Sequence, residues 1–230
     1  MPTDPAYRHA LRQRLQAAAL DVTEQARANC LQWQQLRIHC GVLSLAKPPR
    51  TAPDLEINSP WLPPQSGNGF ALLVAGQPGA LEQARPLLDA LALQPGAWLY
   101  CGPLGAASFC RRAFDLLFYL SGPLLLQQLP QPDSKLIDWP TLLLQQQELL
   151  QQLAALCQDY LQQQGAAPIT EQQQWQLLDE FRQPPARQQH FALNLARLLL
   201  LANELGENAR QLLDTALDGM AAATGGNSPP

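Results

Sequence analysis

The sequence predicts a mixed architecture, an α/β part with about three strands followed by an all-helical part. Three observations predict it. Short apolar runs, "RIHCGVLSL", "FALLVA" and "WLYC", alternate with helical patterns up to residue 102. Such alternation marks a parallel or mixed sheet covered by helices. Beyond Ala106 every periodic segment has helical spacing, and prolines punctuate the segments. Hydrophobic residues make up 47% of the 230 residues, enough for a sizeable core.

In chain order, residues 5–36 show apolar positions at three and four spacing (Leu11, Leu15, Ala18, Leu20, Ala26, Leu31) and predict helix. Asp21 or Thr23 can interrupt it by capping a second helix. Residues 37–45 predict a buried strand. Residues 47–66 hold Pro48, Pro49, Pro53, Pro60, Pro63 and Pro64 and predict a long irregular loop. Residues 70–75 predict a strand ended by Gly76-Gln77-Pro78-Gly79, and residues 80–93 a helix with Leu81, Ala84, Leu87, Leu88 and Leu91 on one face. Residues 98–101 predict a third strand. Helices follow over 106–129, 139–164, 171–182 and 188–222. The expected organisation is an α/β domain over 1–102, a helical domain over 103–225 and a flexible tail over 226–230.

Net charge is −4 and basic residues occur singly or in pairs. This speaks against a nucleic-acid or membrane partner. No signal peptide is visible and no run approaches about 18 apolar residues, so the expectation is a cytoplasmic protein. The five cysteines and three histidines match no zinc spacing and read as reduced, mostly buried thiols, with no metal site. His39, Cys40 and Ser44 form no nucleophilic set, because strand neighbours point to opposite faces.

The stretch "YCGPLGAASFCRRAF" draws a tight turn, Gly102-Pro103-Leu104-Gly105, into a helix that opens with Ala106-Ala107-Ser108. Backbone N–H groups at such a helix start can bind an anion, and the small residues equally let the helix pack on a sheet. Arg111, Arg112 and Asp115 can form a substrate clamp or a surface ion pair at helical spacing.

Three stretches carry a family resemblance: "EQARANCLQWQQLRIHCGVLSLA", "GFALLVAGQPGALEQARPLLDALALQPGAWLYCGPLGAAS" and "FALNLARLLLLANELGENARQLLDTALDGMAAA". Over about residues 20–225 the chain resembles the β-hydroxyacid dehydrogenase superfamily, which includes 6-phosphogluconate and 3-hydroxyisobutyrate dehydrogenases and the related imine reductases. The resemblance implies a partial, truncated Rossmann-type domain followed by an all-α, 6-phosphogluconate dehydrogenase-like C-terminal domain that builds a homodimer. It makes Ser44, Gly102, Gly105, Ser108 and Arg111 the ligand-binding candidates, and Arg111, Asp115 and Asn194 the counterparts of catalytic positions.

Two departures qualify what the resemblance implies. The family's opening strand, GxGxxG turn and helix are missing; "GNGFAL" has Leu72 where a third glycine belongs. A pyrophosphate needs those glycines for close approach to the helix start. The catalytic positions also differ. Arg111 stands where the family has its lysine acid/base, and a guanidinium keeps its proton near neutral pH. The family's asparagine falls on Asp115 or Phe114, leucine and alanine (Leu45, Ala46) replace the glycines after Ser44, and the lysine-aspartate pair aligns with Leu193 and Asn194. Imine reductases share the fold without the lysine.

The sequence therefore points to a truncated, non-catalytic relative, a dimeric scaffold or a binding protein for a partner or small anion, with no cofactor. The alternatives are an NAD- or NADP-dependent oxidoreductase whose nucleotide half comes from another chain or an upstream start, and a helical protein-interaction module.

Overall fold

The computed structural model describes residues 5–25, 29–43, 52–59, 71–120, 139–167, 169, 171–182, 188, 190–204 and 206. In chain order the elements are α1 (Pro5–Ala17), β1 (Val22–Gln25), β2 (Cys30–Trp33), β3 (Leu36–Cys40), β4 (Leu55–Asn58), β5 (Leu72–Gly76), α2 (Pro78–Leu91), β6 (Trp98–Gly102) and α3 (Ala106–Phe114). A π-helical segment, Asp115–Leu120, continues α3. Then come α4 (Trp139–Gln163), α5 (Glu171–Arg182) and α6, residues 191–204. No helix among the described residues is long and apolar enough to cross a membrane.

The sheet has six strands in the order β1-β2-β3-β4-β5-β6, not about three. It is mixed: β3–β4 and β5–β6 are parallel, the other pairs antiparallel. The additional strands are β1, β2 and β4. Residues 22–33 were expected to be helical, yet Leu31 and Trp33 are buried and Gln32 less so, a period of two. Trp33 pairs with Leu36 across a two-residue turn, and Gln34 takes a left-handed φ of 53° there. Glycine or asparagine normally marks such a turn, and neither is present. Strand β4 lies inside the proline-rich segment expected to be loop. Residues 44–51 and 60–70, further out on either side, lie outside the described residues, as do the predicted helical stretches 121–129 and 207–222 and the tail.

Each strand divides its residues between two faces. Leu36, Ile38, Leu55, Ile57, Leu72 and Val74 pack on one side with Leu11 and Leu15 of α1 and Leu81, Leu87, Leu88 and Leu91 of α2. Arg14 ties the two helices together: its Nε donates to Ala90 O at 2.9 Å and its Nη2 to Ala92 O at 3.4 Å, satisfying carbonyls at the C-terminus of α2. On the opposite side Ala75 and Cys101 join Phe109, Cys110 and Ala113 of α3, Leu153, Cys157, Tyr160 and Leu161 of α4, and Ala192 and Ala196 of α6.

The described elements after β6 are all helical, as expected, but no all-α C-terminal domain is shown. Helices α3, α4 and α6 share one apolar core with the sheet's second face, to which the strands contribute Ala75 and Cys101.

Candidate functional site

The site forms where β6 turns into α3. Gly105 caps the helix in the left-handed region at φ 90°, a conformation glycine adopts without Cβ strain. Gly102 has φ 135°, and a Cβ there would stand 2.4 Å from Cδ2 of His190. The turn thus brings backbone against an imidazole, and only glycine fits.

The N–H at the start of α3 meets the chain's own carboxylate. Glu56, on β4, is fully buried. Its Oε2 accepts from Gly105 N at 2.8 Å, and its Oε1 accepts from Asn58 Nδ2 at 2.8 Å and from the Ser108 hydroxyl. Ser108 Oγ in turn accepts from Leu43 N at 2.6 Å. This closes a network linking the segment after β3, strand β4 and helix α3. Burial raises the Glu56 pKa to about 6, against the lowering effect of the bonds from Ser108, Gly105 and Asn58. Because a helix N-terminus favours negative charge, Glu56 occupies the position that an external anion would take. A ligand phosphate or carboxylate at the same turn would face this carboxylate and be repelled.

Beside the turn, Tyr160 of α4 stacks on Phe109, with ring centroids 4.3 Å apart. Its hydroxyl lies 3.0 Å from His190 Nε2. Desolvation raises the Tyr160 pKa and lowers that of His190, with the Arg197 charge lowering the latter further. Both groups are held neutral, the tyrosine as a hydrogen-bonding phenol. All five cysteines are free and buried. Burial pushes Cys157 up to about 12 and Cys110 well above the ordinary thiol value, which removes their nucleophilic thiolate at neutral pH.

Of the residues singled out in the sequence, Gly102, Gly105 and Ser108 converge on the turn. Arg111, one helical turn on, donates through Nε to both oxygens of Asp115 at 2.9 Å, a part-exposed pair. Asn194 lies on α6, buried, with its Nδ2 donating to Gln188 Oε1 at 3.1 Å. Ser44 lies outside the described residues. His39 and Cys40 point to opposite faces as expected: Cys40 enters the α1/α2 core, while His39 Nδ1 sits 3.9 Å from Cys30 Sγ.

Sequence reasoning missed Glu56, Asn58, Tyr160 and His190. For the first two a signal existed. In "LEIN" apolar Leu55 and Ile57 alternate with polar Glu56 and Asn58, the pattern of a strand with one polar face.

Compared with known proteins, the chain matches no family model and no curated protein.

Proposed function

We propose that the chain is a non-catalytic relative of the β-hydroxyacid dehydrogenases, a cytoplasmic binding or scaffolding protein that needs no nicotinamide cofactor. The observation that carries this reading is the Glu56 carboxylate at the start of α3, which satisfies from within the N–H that would receive a ligand anion. Arg111 supports it, because its guanidinium is already committed to Asp115.

Assembly as a homodimer through the C-terminal helices completes the proposal. A cavity of about 370 Å³ opens among the π-helical segment, α4 and α6, lined by Leu117, Leu150, Leu153, Ala154 and Leu199. Leu144 and Leu150 are 67% and 53% exposed on α4. Exposed apolar surface of this kind favours burial against a second subunit.

Titration with NADPH, followed by its fluorescence and by thermal shift, tests the cofactor part. The expected result is no saturable binding in the micromolar range. Saturable micromolar binding with a raised melting temperature would favour the oxidoreductase alternative. Sedimentation at micromolar concentration tests assembly: a dimer is expected, and a clean monomer would count against it.

A further inference from the structure

Away from the turn, α5 and α6 leave a crevice of about 130 Å³ between them. That is room for about four water-sized groups. Its polar wall contains Arg197 and Asn194 from α6 and Gln173, Gln176 and Glu180 from α5; Ile169 and Leu177 give it an apolar side.

Arg197 is the unusual member. Its Nε is shielded from solvent and has no hydrogen-bond partner among the described residues. No ion pair with Glu180 compensates the charge; Glu180 instead accepts from Gln176 Nε2 at 3.3 Å. An unpaired guanidinium donor out of water is costly to leave unmade, and a carboxylate is the partner its planar fork fits best. The charge acts locally, since it contributes to the lowered pKa of His190, seven residues earlier at the start of α6.

The lining also sets the ligand's charge and shape. One cation and one carboxylate border the crevice, so a single negative charge is accommodated and a second is repelled by Glu180. The apolar side suits a short alkyl chain.

We propose that this crevice binds a short aliphatic monocarboxylate, with the carboxylate on the Arg197 guanidinium and the alkyl chain against Ile169 and Leu177. The site is separate from the Gly102–Ser108 turn, and its success or failure leaves the scaffold reading untouched.

The test is a ¹⁵N-edited NMR titration of the full chain that follows arginine Nε–H cross-peaks, using propionate, succinate and inorganic phosphate. Arg197→Lys assigns the Arg197 peak by its disappearance. The peak should move saturably with propionate in the millimolar range, with succinate and phosphate weaker by about tenfold, as expected for a like charge at the mouth. Calorimetry on Arg197→Gln should show propionate affinity reduced by about tenfold or more, the loss of one charge-assisted contact. If that variant fails to fold, the wild-type titration decides alone. A peak that does not respond to propionate, or an undiminished affinity in Arg197→Gln, would overturn the proposal. Tighter binding of phosphate or succinate than of propionate would also overturn it.

Discussion

The two faces of the sheet are built on opposite principles, although single strands serve both. On the α1/α2 side β4 offers Leu55 and Ile57 to an apolar core. On the α3 side the same strand offers Glu56 and Asn58, both buried, to a polar network with Ser108 and Gly105. The first face contributes stability by removing hydrocarbon from water, which does not depend on pH. The second contributes geometry: it fixes the turn and helix start while carrying a carboxylate at the cost of desolvation. Perturbation should therefore separate the faces by the size of its effect and by its pH dependence.

The largest effect is expected on the apolar face. Leu88 on α2 is fully buried. Leu88→Ala should cost about 2–5 kcal/mol, the transfer of the lost methyl groups plus the cavity left behind. Urea denaturation should give the same loss at pH 4.5 and pH 8, one condition below and one above the folded-state Glu56 midpoint near 6.

On the polar face, Gly102→Ala places a methyl group against the His190 imidazole at φ 135°. The expected loss is about 1–3 kcal/mol from strain and overpacking. Removing the ring should relieve part of it, so the double variant Gly102→Ala/His190→Ala should be less destabilised than the sum of its parts. Simple additivity would show that the close approach is not what excludes a side chain.

Glu56→Gln tests the network itself. The amide NH₂ must face one of the donors that now point at the carboxylate, so a loss of about 1–3 kcal/mol is expected at acidic pH. The loss should shrink as pH rises. Glu56 has its pKa raised from about 4.5 to about 6 on folding, so between these values the folded state binds more protons than the unfolded one. The wild type therefore loses stability as pH rises through that window, by about 2 kcal/mol from this group. The glutamine variant lacks that loss. Melting temperatures of both proteins from pH 4 to pH 8 would show the two curves converging; parallel curves would contradict it.

The smallest effect is expected at Arg111. Its pair with Asp115 is about one-third exposed, and Arg111→Ala should change stability by no more than about 1 kcal/mol. Arg111→Lys should create no turnover with NAD or NADP and a panel of 2- and 3-hydroxy acids. Turnover above the wild-type background would contradict the non-catalytic reading.

Much of this frame was legible in the sequence, and the gaps have physical causes. "FALLVA", "WLYC" and helices α2, α4 and α5 are bounded by proline or glycine or by a clear change of period. Strand β3 was legible, but β1 and β2 hid because Gln34 and Asn29 adopt left-handed φ without a glycine signal, and because Leu11, Leu15 and Leu20 led straight into them at helical spacing. β4 hid because four residues among six prolines carry too little periodicity to stand out. With β4 went Glu56. The turn at Gly102–Gly105 could be read as an anion-binding shape, but its partner comes from a strand about fifty residues earlier, a juxtaposition that only the parallel β3–β4 and antiparallel β4–β5 pairings create.

Closure of the α3 start by the chain's own carboxylate can be read at the group itself, by a ¹³C NMR titration of the Glu56 carboxyl carbon. The expected midpoint lies near 6, left unchanged by added NADPH or inorganic phosphate. A midpoint at the ordinary glutamate value of about 4.3, or one displaced by either ligand, would mean that the turn is open and able to receive an anion from outside.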